Sequence, residues 1–177
     1  STLHEASERG DLSAVQSQLA TGVDINGRLA APPWSTPLML AAVRRRVAVM
    51  RVLLEEGANP NLRASDSNCA MTLAASVGLA DSVSLLLKFG ASPNARDQNA
   101  ESALAKAAIG GHVAAARALL EAGADPNVHS HSCISPLHWA INGCHGALVE
   151  LLLSHGAYMS SLQPGLLPVQ RRACPPA

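Results

Sequence analysis

Four phrases, TPLMLAA (36–42), CAMTLAA (69–75), SALAKAA (102–108) and SPLHWAI (135–141), begin 33 residues apart each time. A second set keeps the same interval. EEGANPN, KFGASPN, EAGADPN and SHGAYMS place glycine at Gly57, Gly90, Gly123 and Gly156, with Pro60, Pro93 and Pro126 in register. A weaker first copy, LHEASERGDLSAVQSQLATGVDIN, reaches its glycine at Gly22, and two extra residues precede the second copy. A unit of this length cannot bury an apolar face alone. Identical units in a row bury it against one another, so the interval itself argues for a stack rather than a single globular centre.

Within a unit the pattern reads as helix, tight turn, helix, extended loop. In DSVSLLLKFG (81–90) the apolar residues recur at helical spacing, and Asp81 is placed as an N-cap. Gly90 then ends the helix at a position that needs positive φ. ASPN follows as turn chemistry, with proline fixing φ and Asn bonding back to its own backbone. The first helix is short and made of Ala and Leu, which lets neighbours approach closely. Composition agrees: 48% of residues are hydrophobic but only 2% aromatic, so the core is aliphatic and the chain helix-prone.

The balance of charge excludes other classes. Thirteen basic residues against thirteen acidic ones leave no excess to neutralise phosphates, so no nucleic-acid partner is expected. No apolar run approaches the ~20 residues that cross a bilayer, and STLHEASERGDL lacks the layout of a secretory signal. Four cysteines without C-x-x-C pairing point to reduced thiols and an intracellular setting, cytoplasmic and/or nuclear. Cys69 and Cys133 stand roughly two layers of ~10 Å apart, too far for a disulfide. No nucleophile elbow, phosphate-cradling glycine loop or H-E-x-x-H is present, and GG at 110–111 falls in the inter-helix turn. Neither enzymatic activity nor a cofactor is expected.

The 33-residue period, TPL or SPLH opening the first helix and LLL..GA.PN closing the second resemble the ankyrin repeat, over roughly nine-tenths of the chain. The resemblance implies an all-α ankyrin-repeat solenoid of stacked helix-turn-helix units with β-hairpin-like loops. Repeats of about 1–33, 34–66, 67–99, 100–132 and 133–162 make one domain, followed by a proline-rich tail at 163–177. Copies three and four depart from Thr-Pro-Leu, carrying Cys69-Ala70-Met71 and Ser102-Ala103-Leu104. Those two turns are expected to be less rigid.

The resemblance further implies a non-catalytic protein–protein interaction module, an adaptor or scaffold that is monomeric by itself. It would grip a protein or peptide on the concave face formed by loops and first helices. Carried onto this chain, the loop positions are Trp34 and Ser35, then Ser65, Asp66 and Asn68. Gln98, Asn99 and Glu101 follow in copy four, and His131, Ser132 and Ile134 in copy five. Arg63, Arg96 and His129 hold equivalent places on the preceding arms. Val43 and Arg44, Ser76 and Val77, and Asn142 stand at the ends of the first helices. Residues 34–66 carry a net +2 and residues 100–132 a net −1, a gradient that would orient a ligand. Two alternatives are the substrate-recognition part of a cullin-type ubiquitin ligase adaptor and a regulatory domain of a larger enzyme or channel. For the first, LQPGLLPVQRRACPPA is too short and proline-rich to supply the helical box that follows the repeats in such adaptors.

Three local features remain. Arg44, Arg45 and Arg46 occupy the inter-helix turn, with Arg45 in register with Gly10, Gly78 and Gly111, so this turn is opened or strained. The arginines read as a solvated helix end near C-terminal carbonyls, with contact to an acidic partner as the alternative. His129, His131 and Cys133 alternate on an extended arm, but they lack the further ligand a zinc site needs, and no metal is assigned. Trp139 takes a core slot; Trp34 lies in a loop and is the aromatic hot-spot candidate. Leu166, Leu167 and Val169 of the tail are placed as a cover for the last unit.

Overall fold

A computed structural model describes residues 2–30 and 35–158. Among the described residues ten helices lie in chain order: α1 (Leu3–Arg9), α2 (Leu12–Ala20), α3 (Pro37–Val43), α4 (Val47–Glu55), α5 (Ala70–Ser76), α6 (Ala80–Lys88), α7 (Ala103–Ile109), α8 (Val113–Glu121), α9 (Pro136–Asn142) and α10 (Gly146–Ser154). They form five pairs. Each odd-numbered helix packs on the odd-numbered helix of the next pair, and each even-numbered one on its even-numbered neighbour, giving an inner and an outer layer. The fold is an all-α repeat solenoid. No helix among the described residues is long and apolar enough to cross a membrane.

The inner helices are short because their ends are fixed chemically. Thr36, Ser102 and Ser135 each accept a hydrogen bond from the backbone N–H three residues on, satisfying an orphan donor. Ser102 thus caps α7 although the proline is missing, and the looser turn expected there has an intact cap. At Cys69 no side chain caps the helix; instead the Cys69 N–H donates to Thr72 Oγ1 at 3.0 Å. Between the helix layers the side chains are small. Ala41, Ala42, Ala74, Ala75, Ala107, Ala108 and Ala140 are all fully buried, and Met50, Leu53, Leu86, Leu119, Leu148 and Leu152 of the outer helices fill the space behind them.

Two local expectations need correction. Asp81 does not cap α6: Leu79 holds the N-cap position and Asp81 sits in the first turn, where its charge still suits the helix dipole. The Asn closing each turn does not bond back to its own loop. Asn61 reaches the next repeat, donating from Nδ2 to the Gly90 carbonyl at 3.0 Å and accepting from Ser92 N–H at 2.9 Å. Asn127 does the same to Gly156 and Tyr158, and Asn94 accepts from Asp125 N–H. Gly90 itself has φ 79°, as its place at the helix end requires.

The loops between pairs are hairpin-like, with one antiparallel bridge, Arg96 to Ser102, among the described residues. In the three later hairpins the tip is closed the same way. Ser67 N–H donates to the Ala64 carbonyl while Ala64 N–H donates to the Asn68 carbonyl, at 3.1 and 2.8 Å. Asp97, Ala100 and Glu101 repeat the pattern, as do Ser130, Cys133 and Ile134. This closure needs a left-handed residue, yet the chain supplies Ser67, Ala100 and Cys133, at φ 59°, 58° and 59°. Cys69 and Cys133 are free thiols.

Candidate protein-binding face

The hairpin tips are held to one another as well as to themselves. Gln98 N–H donates to the Asp66 carbonyl at 3.1 Å, and His131 N–H to the Asn99 carbonyl at 2.9 Å. Backbone polar groups are therefore occupied along the row, and the side chains of Gln98, Asn99, His131 and Ser132 are left exposed. Asp66 and Asn68 are half-buried; Asp66 Oδ1 accepts from Asn68 N–H at 3.0 Å and Oδ2 from Asn68 Nδ2 at 2.8 Å, which stiffens this tip. Ile134 is half-buried. Ser35, expected to be exposed, is instead 6% exposed, with its carbonyl accepting from Leu29 N–H. Trp34 and the tail at 163–177, with Leu166, Leu167 and Val169, lie outside the described residues.

The arginines on the preceding arms hold the stack together. Arg63 Nη1 donates to the carbonyls of Ser67 and Arg96, and Arg96 Nη2 donates to the His129 carbonyl. Each guanidinium thus spans one repeat. The turn arginines are used similarly. Arg44 pairs with Glu8 Oε1 at 2.5 Å, Arg46 Nε donates to the Glu8 carbonyl, and Arg45 Nη2 donates to the Val77 carbonyl. Arg45 has φ 61°, the strained geometry expected of a non-glycine there. These carbonyls end neighbouring inner helices, so the charge sits where the helix dipole favours it.

His112 and His145 follow the same logic. Each occupies an outer-helix N-cap position without capping its own helix. Instead the His112 ring lies against Gly78 and Gly110, and the His145 ring against Gly111 and Gly143, filling space that a Cβ would need. His138 closes a capping box with Ser135, Oγ to Nδ1 at 2.7 Å. Burial, with a smaller push from the nearby His129, holds the His138 imidazole below its usual pKa. No group of three metal-ligating side chains occurs among the described residues.

The inner helices add a row that sequence reasoning missed. Leu40, Leu73, Lys106 and Trp139 stand 33 residues apart, and all four are half-buried. Trp139 therefore lies at the margin of the core rather than within it, and its Nε1 is buried without a hydrogen-bond partner. Lys106 is held by Asp97 Oδ2 at 2.7 Å and Glu101 Oε2 at 2.5 Å. Burial works against the Asp97 charge, but hydrogen bonds from Lys106 and from the Glu101 and Asn99 N–H groups outweigh it and keep the carboxyl below its ordinary value. For Lys106, too, burial opposes the charge, and the two carboxylates raise its pKa nonetheless. A lysine interrupting an apolar register was the available signal: such a residue requires counter-ions nearby. Val43 and Ile109, at the ends of α3 and α7, are 41% and 42% exposed, and Ile109 was also missed. Ser76 and Asn142 are exposed and Val77 is half-buried.

Hairpins and inner helices meet in a pocket of about 320 Å³. It brings together Ser35, Val43, Arg44, Asp66 and Asn68 of the expected residues, and adds Glu8, Met39, Leu40, Ala64 and Leu73. Glu101, Ile134 and Asn142 belong to later repeats and do not line it.

A family model described as ankyrin repeats (three copies) matches residues 3–97 and again 71–162. No curated protein matches the chain significantly. Ankyrin repeats are generally protein–protein interaction modules. With its five helix pairs, its laced hairpins and this match over most of its length, the chain belongs to the ankyrin repeat family.

Proposed function

We propose that this chain is a non-catalytic adaptor or scaffold that binds a protein or an extended peptide across its hairpin tips and inner helices. Its repeat domain is placed at 1–162, and it acts as a monomer inside the cell. The observation that carries the reading is the division of labour along the hairpins. Backbone groups, Arg63 and Arg96 are spent on the stack, whereas Gln98, Asn99, His131 and Ser132 project from a rigid frame with nothing to do for the fold. A preformed surface of this kind binds without an ordering cost.

A displayed library of random 15-residue peptides provides the test, with binders measured by fluorescence anisotropy. Asn99→Arg together with Ser132→Arg is expected to weaken binding tenfold or more. Arg117→Glu on the exposed side of α8 is expected to leave it unchanged. Binders that tolerate the tip variant and are lost with Arg117→Glu would place recognition on the outer helices instead.

A further inference from the structure

Within the face proposed above, and resting on that reading, the gaps between successive inner helices are not equivalent. Lys106 and its two carboxylates occupy the row position on α7, and the Trp139 indole occupies it on α9. Between α3 and α5 the corresponding residues are Leu40 and Leu73, and the space in front of them is the 320 Å³ pocket. Its floor is apolar: Met39, Leu40, Val43, Ala64 and Leu73. A volume at the small end of the range for ligand sites accommodates a single side chain.

The rim carries a charge of one sign. Arg44 and Glu8 neutralise each other at 2.5 Å. The Asp66 carboxylate receives two hydrogen bonds from Asn68, but no cation pairs with it among the described residues. An acidic group fixed at the lip of an apolar hole matches a ligand that is greasy at one residue and cationic beside it.

We infer that this pocket is the anchor subsite: it takes one aliphatic side chain of an extended partner segment, with an adjacent lysine or arginine pairing with Asp66. The aliphatic group supplies the buried centre of the interface and the ion pair sets direction along the stack.

Peptides selected from the random library on the wild-type protein are expected to share an aliphatic residue next to a basic one. Leu73→Lys, which copies the residue that repeat four carries at this position, is expected to weaken them at least tenfold. Leu73→Met, which keeps the floor apolar, is expected to retain them. Asp66→Asn should cost about fivefold and abolish the preference for the basic neighbour, shown by comparing lysine and norleucine versions of one peptide. Peptides without such a pair, or peptides that bind Leu73→Lys and Asp66→Asn as tightly as wild type, overturn the inference. If those same peptides are still lost with Asn99→Arg and Ser132→Arg, the face survives and only the anchor subsite fails.

Discussion

Arg96 Nη2 donates a 2.9 Å hydrogen bond to the His129 carbonyl, joining equivalent arms of the third and fourth hairpins. Arg63 makes the same reach to Arg96. Guanidinium groups that look from sequence like a charged binding surface are thereby rungs between repeats. A solenoid is stable only as far as each unit holds its neighbour, and here much of that coupling is polar.

The asparagine rung is the cleanest place to measure it. Asn61→Ala removes two inter-repeat hydrogen bonds at exposed positions, where water takes over part of the role. The expected loss is about 1 kcal/mol, read from urea unfolding. A variant as stable as wild type would show that the rung contributes nothing.

Hairpin geometry gives a prediction of opposite sign. Ala100 sits at φ 58°, where a Cβ is strained by about 1–2 kcal/mol. Glycine removes that strain and gives back part of it through the unfolded chain's greater freedom. Ala100→Gly is expected to raise stability by up to about 1 kcal/mol. A drop in Tm would mean that the tip is relaxed as it stands.

Ser82 is fully buried in α6 and its hydroxyl has no hydrogen-bond partner. The residue in register one repeat later is Ala115, also fully buried. Ser82→Ala should therefore stabilise by about 1 kcal/mol, since an unpaired buried hydroxyl is removed and the volume hardly changes. Destabilisation measured by thermal unfolding would contradict this.

The Asp97–Lys106–Glu101 cluster makes stability depend on pH at both extremes. Folding holds the Asp97 carboxyl below its ordinary value of 3.8, so its contribution is present above that pH and is lost as pH falls through the lower folded value. Folding raises Lys106 above 10.5, so its contribution is present below that pH and disappears as pH rises through the folded value. Asp97→Asn is expected to cost about 2 kcal/mol between pH 5 and 9, between the values typical of exposed and fully buried pairs. The gap from wild type should narrow in strong acid. A gap independent of pH would show that packing, not charge, is what the substitution disturbs.

The stack was legible in the sequence because its causes are local and periodic. Glycines at helix ends, Ser or Thr at helix starts and Ala or Leu between them recur at one interval, and each acts within its own turn. What escaped notice acts across repeats. Asn61 and Gly90 are 29 residues apart, Arg45 and Val77 are 32, and Glu8 and Arg44 are 36. Nothing at either position marks the other as its partner. The tips escaped for a different reason: their left-handed residues are serine, alanine and cysteine, none of which advertises positive φ. Ser35 was misjudged because a loop position next to a buried cap was assumed to face solvent.

Recognition by the hairpin face is tested most directly by a photo-crosslinking amino acid placed at Gln98 and, separately, at Arg117 on α8. Each labelled protein is irradiated with a library-selected peptide, and the adducts are measured by mass spectrometry. Crosslinks from position 98 and none from position 117 are the expected result. Adducts from position 117 alone would contradict it.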